Sequence, residues 1–89
     1  VAARKDGDAT LTSRQRDVLR FIVEFSSRKG WAPTRAEMLE GLEMRSAVAL
    51  ERHLRALERA GYIRTEPGSA RAVQLLLKSV FYAGREEWG

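Results

Sequence analysis

The chain has 89 residues, enough for one domain around one modest core. Its 44% hydrophobic and 31% charged residues argue against wholesale disorder, and 16 Lys and Arg against 12 Asp and Glu leave +4, which favours an acidic partner such as nucleic acid or an anionic membrane surface. The absence of cysteine excludes disulfides, thiolate metal sites and a cysteine nucleophile, and a lone histidine, His53, leaves no His-based zinc site, so neither metal nor cofactor is expected.

Residues 1–10 are small and polar and read as a flexible arm, whose Arg4 and Lys5 are the basic positions of a disordered tail. They lack the apolar core of a secretory signal, and no stretch approaches the ~18 apolar residues of a membrane span, so a cytoplasmic protein is expected. Thr12 is an N-cap with Gln15 placed to close a capping box. The helix it opens carries Val18, Leu19, Ile22, Val23 and Phe25 on an apolar stripe and ends at Gly30. Trp31, Ala32 and Pro33 form an extended link, with Trp31 expected to pack over the first two helices. Thr34 and Glu37 make a second capping box, and Met38, Leu39 and Leu42 supply the buried side of a short helix that Gly41 weakens by up to ~1 kcal/mol relative to alanine.

Glu43, Met44 and Arg45 make a tight turn, and Ser46 caps a third helix that reaches Gly61. This helix has two opposed faces. Leu50, Leu54 and Leu57 recur at i, i+4, i+7, and Val48, Arg52, Arg55 and Arg59 recur at i, i+4, i+7, i+11. At about 100° per residue, the second row occupies an arc of roughly 60° nearly opposite the leucines. Beyond it, residues 62–65 favour extended structure, Pro67, Gly68 and Ser69 read as a turn, and Val73, Leu75 and Leu77 alternate as a strand should. Residues 78–89 hold Val80, Phe81, Tyr82 and Trp88, and read as a tail or linker that folds back on the core or contacts another chain.

Helix, helix, tight turn, helix and hairpin make a mainly α fold with a small β-hairpin: a winged helix-turn-helix of three helices plus a wing, over residues 11–77. The third helix, residues 46–60, suits a major groove about 12 Å wide, and the wing, residues 64–73, suits adjacent backbone or minor groove. Between Met44 and Ala72 six arginines (Arg45, Arg52, Arg55, Arg59, Arg64 and Arg71) meet three acids (Glu51, Glu58 and Glu66). Planar forked donors suit phosphate and guanine edges.

Five stretches together resemble the DNA-binding domain of the LexA repressor family, which governs the bacterial DNA-damage (SOS) response. They are LTSRQRDVLRFI (11–22), APTRAEM (32–38), Arg45-Ser46, ERHLRALERAGYI (51–63) and GSARAVQLL (68–76). The resemblance covers about three-quarters of the chain. It implies base reading by Ser46, Val48, Ala49, Glu51 and Arg52. It implies backbone contacts from Arg14, Arg35, Arg59, Gly68, Ser69 and Arg71, and the turn residue Arg45 joins that set. There are departures. Val48 replaces the family's usual asparagine and offers a thymine methyl contact instead of an adenine one. Arg52 stands where a carboxylate is common, Glu43 replaces the turn glycine, and Ala60 replaces a lysine. Twelve residues after the wing are too few for the family's dimerising, self-cleaving serine–lysine domain, so no enzyme is expected of this chain.

The plainer reading of the arginine row is a solvated face paired with Glu51 and Glu58 along the helix. His53 reads as structural or solvent-facing, and Thr12, Thr34 and Ser46 as caps first. The leading functional expectation is sequence-specific binding of double-stranded DNA in transcriptional repression, with a homodimer on a two-half-site operator as the route to affinity. The alternative is a winged-helix protein-interaction module that uses Phe81, Tyr82 and Trp88.

Overall fold

Three capped helices and a hairpin make up the computed structural model, which describes residues 11–68, 71 and 73–79. Helix α1 spans Ser13–Lys29, α2 Arg35–Gly41 and α3 Ala47–Arg59. Both predicted capping boxes form. Thr12 Oγ1 accepts from the Gln15 N–H at 3.1 Å while Gln15 Oε1 accepts from the Thr12 N–H at 2.9 Å. Thr34 and Glu37 repeat this at 3.0 and 2.9 Å. Ser46 Oγ accepts from the Ala49 N–H at 3.0 Å. Each cap gives an orphan backbone donor a partner, worth about 1 kcal/mol.

Strand β1 (Ile63–Thr65) pairs antiparallel with β2 (Val73–Leu75), in the register Ile63↔Leu75, Arg64↔Gln74 and Thr65↔Val73. The apolar stripes meet in one core: Val18, Leu19 and Ile22 of α1, Met38 of α2, Leu50, Leu54 and Leu57 of α3, and Ile63 and Val73 of the hairpin. Leu11 and Tyr62 join it from outside the elements. Burial of each such side chain contributes about 1.5–3 kcal/mol. Leu39 and Leu42 are half-buried against this core rather than inside it.

Three sequence expectations need correction. The last strand stops at Leu75, and residues 77–79 turn helically, leaving Leu77 69% exposed. The turn buries Ser79, whose hydroxyl donates to Leu76 O at 2.6 Å, and lets Lys78 Nζ donate to Ala60 O at 2.7 Å. A continued strand would have made neither contact. Trp31 is 55% exposed instead of packed over the helices, and what lies over its ring is the Arg71 guanidinium, at 5.8 Å. Gly41 is more than a weak point in α2: a Cβ there would collide with the Phe21 ring, so glycine lets α1 and α2 approach. The arm (residues 1–10), Ser69 and the tail aromatics Phe81, Tyr82 and Trp88 lie outside the described residues. No helix among the described residues is long and apolar enough to cross a membrane.

Candidate nucleic-acid interface

The turn between α2 and α3 is fixed by backbone hydrogen bonds. The Glu43 N–H donates to Glu40 O at 3.1 Å and the Met44 N–H to Leu39 O at 2.8 Å, the paired bonds that close a helix through a left-handed residue. That residue is Glu43, at φ 56°. The end of α3 uses the same bonds, from Gly61 to Glu58 O and from Tyr62 to Leu57 O, with a glycine at φ 91°. Arg14 Nη2 also donates to Leu42 O at 2.8 Å, tying α1 to the C-terminal end of α2, where a cation is favoured.

The turn delivers α3 with its leucine row buried and its opposite face in solvent. Ser46, Arg52, Arg55 and Arg59 are exposed, Val48 is 66% exposed, and Ala49 and Glu51 are half-buried. The five residues expected to read bases therefore lie together on the first half of α3 and its cap. Neither glutamate of the helix pairs with the arginine row. Glu51 accepts from Arg35 Nε at 2.8 Å, and Glu58 accepts from the Thr65 hydroxyl at 3.0 Å and its N–H at 3.3 Å. Arg52, Arg55 and Arg59 form no ion pair with another described residue. The face is solvated, as the plainer reading has it, but its pairs with Glu51 and Glu58 are absent among the described residues.

The residues expected to grip backbone divide into two groups. Arg45 and Arg59 are exposed at the two ends of α3, and Gly68 is exposed in the wing turn. Arg14, Arg35 and Arg71 already hold internal partners. Arg14 bonds Leu42 O and lies 3.5 Å from Asp17. Arg35 pairs with Glu51, which joins one expected backbone contact to one expected base contact. Arg71 Nη1 donates to Ala32 O at 2.6 Å and to Glu37 Oε1 at 2.9 Å, with Nη2 3.4 Å from Glu37 Oε2. Arg35, Glu51, Arg55, Glu58 and Glu66 line an open cleft of about 270 Å³ where α2, α3 and the wing converge. Arg55, which had no role by resemblance, sits on the wing side of the helix.

Two titratable groups report this environment. Arg71 beside Glu37, aided by the Thr34 N–H, holds the carboxyl below the usual carboxylate range. Burial lowers the pKa of His53, and the positive charges of Arg14 and then Arg52 lower it further, all three favouring the neutral imidazole. His53 thus marks the other edge of α3, between the paired Arg14 and Arg52, which forms no ion pair with a described residue. Among the described residues no group of three or more His, Cys, Asp or Glu side chains is placed to hold a metal ion. Sequence reasoning passed over Glu37 and Lys78. Glu37 was legible as a cap, but nothing in its spacing showed that the wing would return to it.

A family model described as the LexA DNA binding domain matches residues 8–72. The chain belongs to the LexA DNA-binding domain family. It is 44% identical over 66 residues to LexA repressor 2 of Geobacter sulfurreducens, covering 74% of this chain and 32% of that protein. It is 48% identical over 66 residues to the LexA repressor of Tolumonas auensis, with the same two coverages. With the LexA repressor of Halorhodospira halophila it shares 46% identity over 66 residues, 74% of this chain and 29% of that one. The chain therefore spans about a third of the length of these relatives.

Proposed function

We propose that this chain is the operator-reading unit of a LexA-type transcriptional repressor, binding double-stranded DNA with α3 in the major groove and the wing on adjacent backbone. One observation carries the reading: α3 buries its leucine row and leaves Val48, Arg52, Arg55 and Arg59 exposed on the other face, the arginines with no ion pair among the described residues. Ser46, Val48, Ala49, Glu51 and Arg52 read base edges. Arg45 and Arg59 grip phosphates, joined by Gly68 and Ser69 from the wing. Arg35 and Arg14 sit at the flanks, where each can share its charge with a phosphate while keeping its internal bond.

The altered positions change what is read. A valine presents methyls to a thymine methyl, and Arg52 presents a fork to guanine O6 and N7. The operator consequently differs from one read by asparagine and a carboxylate at these two places. Pairing of two copies on two half-sites supplies affinity that one small unit lacks. The regulated process is a DNA-damage response in the bacterial cytoplasm, and this segment contributes binding without catalysis.

Random-oligonucleotide selection with the purified chain, followed by titrations across salt, tests the proposal. A selected duplex should bind with an affinity that falls steeply as salt rises, at a slope set by the phosphates contacted. Val48→Asn should move the preferred base at one position from thymine to adenine. Recovery of no consensus, with binding indifferent to salt, would sink the reading.

A further inference from the structure

Arg71 stands apart from the other arginines because both terminal nitrogens of its guanidinium are engaged across the fold. Two of its nitrogens face both oxygens of Glu37, one also bonds Ala32 O, and the group lies over the Trp31 ring. These partners come from the link before α2 and from its first turn, while Arg71 comes from the wing just before β2. A forked donor binding a carboxylate at two points fixes direction as well as distance.

We propose that Arg71 is a positioning residue, a latch that holds the wing against the N-terminal end of α2 and so sets where the wing tip meets DNA. The proposal rests on the DNA-binding reading and replaces direct phosphate contact as the main role of Arg71. Two physical arguments support it. With Nη1 given to Ala32 O and Glu37 Oε1 and Nη2 turned toward Glu37 Oε2, a phosphate would have to compete for this fork or settle for the outer N–H groups at Nε and Nη2. The capping box also needs an acid or amide at position 37, and a bare carboxylate there would repel nearby phosphates. Arg71 covers that charge while fixing the wing.

Glu37→Gln is the discriminating variant. Glutamine keeps the capping box, as Gln15 does in α1, but removes the charge that holds Arg71. Arg71→Lys is the second, because it keeps a positive charge and loses the fork. In the free protein, amide exchange should quicken in residues 63–65 and 73–75 of both variants and stay unchanged in α1 and α3. Against a selected duplex, both variants should lose about tenfold in affinity, the order of one lost phosphate anchor. Hydroxyl-radical protection should disappear at the wing edge and persist under α3. The double variant should bind no worse than Arg71→Lys alone.

Unchanged wing exchange in both variants would overturn the latch without any reference to DNA. So would tighter binding by Glu37→Gln, which is the result expected if Arg71 were freed to take a phosphate. If no duplex is bound at all, the DNA reading fails, and the exchange measurement still decides the latch.

Discussion

The arginines of α3 and three of those in the surrounding elements are handled in opposite ways. Arg52, Arg55 and Arg59 stand in solvent with no ion pair to a described residue, whereas Arg14, Arg35 and Arg71 each bridge two parts of the chain. Both groups have the same chemistry. The difference is whether an acceptor from another element comes within reach. Handing the α3 row to a ligand costs side-chain ordering and desolvation but breaks no ion pair with a described residue. The bridging set gives the row its position. Charge for binding and charge for architecture are thus separated residue by residue on one small surface.

The sharpest way to break this comparison is to remove one arginine of each kind. Arg52→Ala should leave thermal stability within about 0.5 kcal/mol, as a surface change touching no partner does. It should weaken binding of a selected duplex by about 1–3 kcal/mol and relax one base position. Arg35→Ala should lower stability by under about 1 kcal/mol, because its pair with Glu51 is partly solvated. It should also broaden the preference at the base that Glu51 is proposed to read, because its carboxylate would no longer be held. Paired titrations and melting curves check both, and a uniform loss across all sequences for Arg35→Ala would make it a phosphate contact instead.

The next effects lie in the scaffold that presents the row. Gly41→Ala gains up to ~1 kcal/mol of helix propensity but forces the Phe21 ring aside, at a typical overpacking cost of about 1–3 kcal/mol. A net loss near 1 kcal/mol should appear in denaturant titration, and it should vanish when Phe21 is replaced by leucine. Glu43→Gly should have the opposite sign. Relief of a left-handed non-glycine residue is worth about 1–2 kcal/mol, against roughly 0.4–1 kcal/mol of added freedom in the unfolded chain. A gain of about 0.5–1 kcal/mol is therefore expected, with the α2–α3 geometry retained.

Much of the scaffold was legible because it is local. Capping boxes, a 3.6-residue leucine row and a glycine after α3 act within a few residues, and each formed as read. What escaped depends on long-range meetings. The spacing of Glu37 identifies a cap but not an arginine 34 positions away. Trp31 looked like a packing residue because tryptophan usually is one, and only the path of the wing shows that Arg71 covers it in the open. Gly41 reads as a defect until Phe21 is seen lying across it. The end of β2 was missed for a similar reason: alternation predicts a strand, but Lys78 and Ser79 find partners only if the chain turns. The exposed row of Val48, Arg52, Arg55 and Arg59 was legible from the two-faced helix, whereas the set Ser46, Val48, Ala49, Glu51 and Arg52 came from resemblance, and base reading by it is a proposal.

The smallest effect offers the finest comparison between the two kinds of arginine. His53 is the chain's only histidine, so its ring protons can be followed singly by NMR. Burial lowers its pKa most, then Arg14, then Arg52. Below the ordinary histidine value, and above the lowered folded one, the unfolded chain binds the extra proton, so stability should decline as pH falls through that window. Replacing His53 with glutamine should flatten this decline. Arg14→Ala should move the His53 titration toward its ordinary value by more than Arg52→Ala does. Arg14 is anchored to Leu42 O and keeps its charge near the imidazole, while Arg52 is held by no described partner and is well screened by water. The reverse order would mean that Arg52 is held close to His53, and the α3 row would then be less free than its lack of partners suggests.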